Sequence, residues 1–198
     1  THRGRPLAQA RVAIEGFGNV GIFAARFLSE AGLKVVAVSD SKGAVYNQNG
    51  LPWRDLLKVK RTKGSVINFL NSEKLSNEKI FTLPVDVLIP AALPDVINVG
   101  NADQVEAKVI VEGANIAVTP EAEAKLVARS VLIVPDIIAN AGGVISSYAE
   151  YRGYSAEKMF KLVKQKITES VTTILGEAKR TGQPPRAVAM ALATRRLL

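Results

Sequence analysis

The chain has no cysteine among its 198 residues and a single histidine, His2. Disulfides, thiolate metal sites and a cysteine nucleophile are therefore excluded, and a histidine-based metal or catalytic cluster is not expected. His2 reads as a surface residue. No apolar run approaches the roughly 20 residues that cross a bilayer, and the first residues lack the charged, apolar and small-residue order of a signal peptide. The expectation is a soluble, cytoplasmic protein with no membrane partner. Aromatics are also scarce, at 6% of residues, against 47% hydrophobic overall. A chain of this size can bury roughly 70% of its unfolded surface in one core.

The net charge of +8 is concentrated towards the end of the chain, where residues 152–198 hold ten Lys/Arg against three Asp/Glu. The stretches between these charges are helix-periodic and carry no interleaved aromatics, which argues for a solvated helix face and against a nucleic-acid partner.

Gly-Phe-Gly-Asn-Val-Gly stands at positions 16–21, directly after the strand-like run 11–15 and before an apolar helical stretch. This is the Gly-x-Gly-x-x-Gly arrangement of a dinucleotide-binding turn. Gly16 serves the tight turn, Gly18 allows backbone to approach a pyrophosphate, and Gly21 lets the helix lie close to the strand. The amides of Asn19 and Val20, at the positive end of that helix, suit a phosphate. A second buried-strand run, 33–39, ends in Asp40, 19 positions past Gly21, where an acid that accepts from a ribose hydroxyl is expected.

Strand-like runs recur at 85–89, 108–111 and 131–134, with a short edge strand at 44–47 and helices between them. Thr119 followed by Pro120 reads as an N-cap and first helical residue. Strand alternating with helix predicts an α/β fold, Rossmann-like and doubly wound, with a mainly parallel sheet over residues 1–136 and C-terminal helices over 137–198. Those helices are expected at 138–152, 155–180 and 185–198. In the long one, Phe160, Val163, Ile167, Val171, Ile174 and Ala178 form one apolar stripe, and Gly176 marks a point where it could fray. Three strand ends carry small residues or asparagines where a ligand is expected: Pro90-Ala91-Ala92, Glu112-Gly113-Ala114-Asn115 and Asn140-Ala141-Gly142-Gly143.

Together with Val-Val-Ala-Val-Ser-Asp-Ser-Lys-Gly (35–43) and Pro-Asp-Ile-Ile-Ala-Asn-Ala-Gly-Gly-Val (135–144), these motifs resemble the cofactor-binding domain of the hexameric-type glutamate dehydrogenases over nearly the whole chain. The resemblance implies pyrophosphate binding at Asn19 and Val20, the adenosine ribose at Asp40 and its neighbour Ser41, and the nicotinamide half at Ala91, Ala92, Asn115 and Asn140. It implies that Val144 and Ser147 face the substrate side chain, with Ser147 meeting a distal carboxylate. The Ser-Tyr-x-Glu run at 147–150 favours glutamate over the substrates of the related leucine, valine and phenylalanine dehydrogenases. After Asn115 the family usually has a glycine-proline pair, whereas this chain has Ile116-Ala117.

The cofactor implied is NAD or NADP, with a lean to NAD because Asp40 should repel a 2′-phosphate, although Ser39, Ser41 and Lys42 offer donors. The resembled enzymes oxidise L-glutamate to 2-oxoglutarate and ammonia as homo-oligomers, usually hexamers. They carry their catalytic lysine and aspartate on an N-terminal substrate domain that these residues do not include. No catalytic or metal-ligating residue is therefore assigned here, and the 198 residues alone are expected to bind dinucleotide without turning over glutamate. A stand-alone dinucleotide-binding regulatory module is the alternative from another class.

Overall fold

The computed structural model describes residues 9–197, so His2 and the 1–6 segment lie outside the described residues. The described chain divides into two compact units at Leu132/Ile133.

The first unit is built on the sheet. Strand β1 (Arg11–Glu15) leads through the glycine turn into helix α1 (Asn19–Glu30), followed by β2 (Lys34–Asp40) and β3 (Gly43–Tyr46). Helix α2 (Trp53–Lys63), β4 (Glu73–Leu75), β5 (Val87–Pro90), β6 (Val109–Val111) and α3 (Pro120–Ala128) come next, and β7 (Leu132–Val134) begins at the unit's last residue. The seven strands lie in the order β4-β3-β2-β1-β5-β6-β7. β1 pairs in parallel with β2 on one side and β5 on the other, and β5 with β6. β3 and β4 run antiparallel, as two hairpin-like additions beyond β2. At the other edge, the Leu132 amide donates to the Lys108 carbonyl at 3.0 Å.

The central strands are apolar on both faces. Val12, Ala13, Ile14, Val35, Val36, Ala37 and Val38 are all buried, as parallel strands covered on two sides require. Apolar residues from α1 and α2, among them Ala25 and Leu56, join Val12, Ile14, Val35, Val38 and Ile89 in one core cluster. The Thr119 side chain accepts the Ala122 amide at 3.3 Å and Pro120 opens α3, as the sequence predicts.

Three sequence expectations are corrected in detail. The strand expected at the edge, 44–47, is observed as β3 and is flanked by β4. The β4 sequence Glu-Lys-Leu carries too little apolar pattern to be read as a strand. The helix expected over 138–152 is two helices, α4 (Asp136–Ala139) and α5 (Gly142–Tyr151), because Asn140 and Ala141 interrupt it. The long helix α6 (Ala156–Thr181) runs through Gly176 unbroken and ends at Gly182, whose φ of 72° gives the left-handed cap that glycine favours.

The second unit packs α4, α6 and α7 (Pro185–Leu197) around Ile138, Ile174, Ala178, Val188 and Ala189. Arg186 Nη1 donates to Asp136 Oδ1 at 2.8 Å, fastening α7 to the start of α4. Of the apolar stripe expected on α6, Ile174 and Ala178 are buried, but Phe160, at the far end, is 63% exposed. No helix among the described residues is long and apolar enough to cross a membrane.

Candidate functional site

The strand order reverses direction at β1: the chain goes from β1 outward to β2, and later returns to place β5 on β1's other side. Open α/β sheets bind ligands beyond the carboxyl ends of the strands at such a switch point. The loops that meet there are the 16–18 turn after β1, the 41–42 turn after β2, Ala91-Ala92 after β5 and 112–115 after β6.

The glycines of the turn have separate constraints. Gly16 has φ +94°, and a Cβ on it would lie 2.7 Å from Ala92 Cβ. A Cβ on Gly21 would lie 1.8 Å from the Gly16 carbonyl oxygen, so only glycine permits α1 to pass this close beneath the turn. Gly18 differs: a Cβ there would meet nothing within 4 Å, which leaves a clear approach to its backbone. α1 starts with no side-chain N-cap and no acid in its first turn. Its first amides are thus left without an intrahelical partner at the positive end of the helix dipole, which is the donor set an anionic diphosphate needs. Gly18, Asn19 and Val20 are exposed, while Gly16 and Gly21 are buried.

The neighbouring loops are tied to this turn in series. The Gly16 amide donates to Ser39 Oγ at 3.1 Å, joining the ends of β1 and β2. Glu15 Oε2 accepts the amides of Ala91 and Ala92, both at 3.2 Å, joining β1 to β5. The Pro90 carbonyl then accepts the Gly113 and Ala114 amides, both at 2.9 Å, joining β5 to β6. Beyond them, the fully buried Glu112 accepts from the Ala117 amide at 3.1 Å and the Val118 amide at 3.4 Å.

Asp40 lies where the sequence places it, at the end of β2, but its carboxylate is engaged from inside. Oδ1 accepts from the Lys42 amide at 3.0 Å and Ser65 Oγ at 2.9 Å; Oδ2 accepts from Lys60 Nζ at 2.7 Å and the Val66 amide at 2.9 Å. An ionised carboxylate has about four acceptor directions, and four donors of the chain are on it. Burial by itself would raise the Asp40 carboxyl, but Lys60, the two amides and Ser65 outweigh it and hold the group below the ordinary carboxylate range. Ser41 and Lys42, the next two residues, are exposed.

Ala92 and Asn115 are exposed at their loops and Ala91 is half-buried. Ile116, the residue after Asn115, has φ +50°, a left-handed conformation that is strained for a β-branched side chain. In the second unit, Asn140 lies between α4 and α5. Val144 (77% exposed) and Ser147 share one face of α5, and Ser147 Oγ donates to the Gly143 carbonyl at 3.2 Å. Among the described residues, no group of three or more His, Cys, Asp or Glu could hold a metal ion.

Sequence reasoning missed Ser39 as an acceptor and Glu15 and Glu112 as carboxylates that hold loops. For the two carboxylates the available signal was an acid closing an apolar run, Val-Ala-Ile before Glu15 and Val-Ile-Val before Glu112, an unusual residue to bury.

Residues 1–198 match the glutamate/leucine/phenylalanine/valine dehydrogenase family. The chain is 46% identical over 170 residues to a glutamate dehydrogenase of Aeropyrum pernix, covering 83% of this chain and 41% of that enzyme. It is 42% identical over 197 residues to the NADP-specific glutamate dehydrogenase of Saccharolobus shibatae, covering 96% of this chain and 47% of that one. Among solved structures, the leucine-bound hetero-hexameric glutamate dehydrogenase of Thermus thermophilus superimposes with a TM-score of 0.88 at 34% identity, over 99% of this chain and 48% of that one. The chain thus spans less than half the length of these relatives.

Proposed function

The chain belongs to the glutamate/leucine/phenylalanine/valine dehydrogenase family, and we propose from this that it is the dinucleotide-binding half of a glutamate dehydrogenase. The observation that carries this reading is the uncapped start of α1 beneath an open Gly18, at the point where the sheet's strand order reverses. Gly18, Asn19 and Val20 present backbone amides to the pyrophosphate. Ser41 and Lys42 meet the adenosine ribose from a turn that Asp40 holds in place. In the first unit Ala91, Ala92 and Asn115 are assigned to the nicotinamide half; for the second unit, taken by itself, the family resemblance assigns Asn140 to the cofactor and Val144 and Ser147 to the side-chain end of an L-glutamate substrate. The Ser147 hydroxyl, exposed on α5, suits a distal carboxylate better than an aliphatic group once its proton turns from the Gly143 carbonyl to the ligand.

When bound, the dinucleotide supplies the hydride acceptor at its nicotinamide ring. The residues of this chain bind and orient it. The proton-transferring base and the cation that polarises the ketone are assigned to the half of the enzyme these residues do not include. For the whole enzyme we propose a cytoplasmic homo-oligomer, a hexamer by family resemblance; the Thermus relative is itself a hetero-hexamer.

The sequence-based lean to NAD rests on a free, repelling Asp40 carboxylate. Lys60 neutralises that charge at 2.7 Å, the exposed Lys42 follows two residues on, and the Saccharolobus relative is NADP-specific. We therefore keep both NAD and NADP as ligands and drop the lean to NAD. Titration of the purified chain with NADH and NADPH, followed by nicotinamide fluorescence, is expected to give saturable binding of NADPH, and a separate assay with L-glutamate and oxidised NAD or NADP is expected to show no oxidation of L-glutamate. Absence of binding with both dinucleotides overturns the dinucleotide reading, and turnover by the chain alone overturns the division of labour.

A further inference from the structure

Glu15 is the last residue of β1 and only 8% exposed, at the base of the glycine turn. Burying a carboxylate is costly, and an aliphatic side chain would close the strand without that cost. Burial indeed pushes the Glu15 carboxyl above its ordinary value, against the opposing pull of the Ala92 and Ala91 amides.

What the acid contributes is an acceptor at one defined place. The Ala91 amide already donates to the Glu15 carbonyl at 2.7 Å as part of the β1–β5 ladder, and reaches Oε2 as a second, longer bond. The Ala92 amide lies one residue beyond the ladder and donates to Glu15 Oε2 at 3.2 Å. Ala92 is also the residue whose Cβ occupies the space a side chain at Gly16 would need. The carboxylate therefore holds the β5 loop against the glycine turn at the point where the two loops touch, and the Pro90 carbonyl passes that constraint to Gly113 and Ala114.

We propose that Glu15 is a positioning residue for the nicotinamide half of the dinucleotide: by fixing the Ala91 and Ala92 amides it sets how the β5 loop stands beside the pyrophosphate turn. This rests on the dinucleotide reading above. Glu15 acts through the loop that its Oε2 holds. The essential property is an acceptor oxygen at the Oε2 position; the negative charge is incidental, and next to a diphosphate it is unfavourable.

Three substitutions separate these properties. Glu15→Gln keeps an acceptor of equal reach without the charge. Glu15→Asp keeps the charge but falls one methylene short, and Glu15→Ala removes both. Each purified chain is titrated with NADPH and NADH by fluorescence and with ADP by calorimetry, with thermal melting as the check on folding. The expectation is that E15Q binds the intact dinucleotide at least as tightly as the parent chain. E15D and E15A should lose about five- to tenfold in affinity for it, the loss expected when a hydrogen bond to a ligand-facing loop is removed, with ADP affinity changed less than about twofold. Should E15A fail to fold, E15D and E15Q decide the matter. Equal loss for ADP and the dinucleotide, loss in E15Q matching that in E15D, or unchanged binding in E15D overturns the proposal. A parent chain that binds neither dinucleotide instead overturns the reading on which it rests.

Discussion

The Ser39 hydroxyl accepts the amide of Gly16 at 3.1 Å, so the turn that follows the first strand is held by the side chain that nearly ends the second. Both residues are buried, and water cannot replace the bond. Ser39→Ala should therefore leave the Gly16 amide unsatisfied, at a cost of about 1–3 kcal/mol. A urea melt should show that loss of stability, together with weaker binding of NADPH. Unchanged stability in S39A would mean that the turn holds itself.

Gly21→Ala is expected to be far more damaging, because the new methyl would stand 1.8 Å from the Gly16 carbonyl oxygen. Neither backbone segment can yield without moving α1 off the sheet. A loss above about 3 kcal/mol, or failure to fold, is expected from overpacking against rigid backbone. Gly18→Ala, with open space around its Cβ, should fold normally and lose dinucleotide affinity alone. Circular dichroism and NADPH titration of the pair distinguish the two roles.

Asp40 and Glu15 should give opposite pH responses. Asp40 titrates lower in the folded protein than unfolded, so its contribution to stability is present above the unfolded value of about 4 and is lost as pH falls through the folded value. Glu15 titrates higher when folded, so its contribution is fully present below about 4 and is lost as pH rises through the folded value. Asp40→Asn is expected to cost about 2–4 kcal/mol at pH 7 by stripping acceptors from Lys60, Ser65 and Val66. That deficit should shrink in urea melts carried down to pH 3. Glu15→Gln should relieve the burial cost most at pH 7 and least at low pH. A constant deficit for D40N across that range would contradict the assignment.

Ile116 carries the strain of a φ of +50° on a β-branched residue that is 57% exposed. Glycine adopts this conformation without steric penalty, so Ile116→Gly should raise stability by about 1 kcal/mol, the relieved left-handed strain less the added unfolded-state entropy. Thermal melting is the check, and a drop in the midpoint would show that the isoleucine side chain contributes packing that outweighs the strain. The Glu112 bonds to the Ala117 and Val118 amides indicate what holds this residue in a conformation it does not favour.

Much of this protein is legible in one dimension, because the relevant physics is local. An unbroken Val-Val-Ala-Val run between turn signals reads as a strand covered on two faces, and Thr119-Pro120 before an apolar-periodic stretch reads as the start of a helix. Gly16, Gly18 and Gly21 are spaced so that turn, approach and close packing each receive a residue without a side chain. Family motifs carry the family assignment over the whole chain, and from them come the proposed roles of Asn140, Val144 and Ser147. The break between α4 and α5 and the charged strand β4 were not legible, since Asn140-Ala141 is not a strong breaker and Glu-Lys-Leu has no apolar alternation. Their conformations come from neighbours, as β4 does from pairing with β3.

The partners of the polar groups were decided in three dimensions. From sequence, Asp40 is an acid at a strand end expected to accept from a ribose hydroxyl; in the fold, Lys60, Ser65 and Val66 reach it from the far end of α2 and beyond, 20 to 26 residues away. From sequence, Glu15 is one letter before a glycine; in the fold it meets Ala91 and Ala92, 76 and 77 residues on, because a crossover places β5 beside β1. Local sequence determines which segments become strand, turn and helix, since backbone sterics and apolar periodicity act over a few residues. Which donor satisfies which buried carboxylate follows only from the packing of distant segments, because a hydrogen bond is made over about 3 Å of space whatever the separation along the chain.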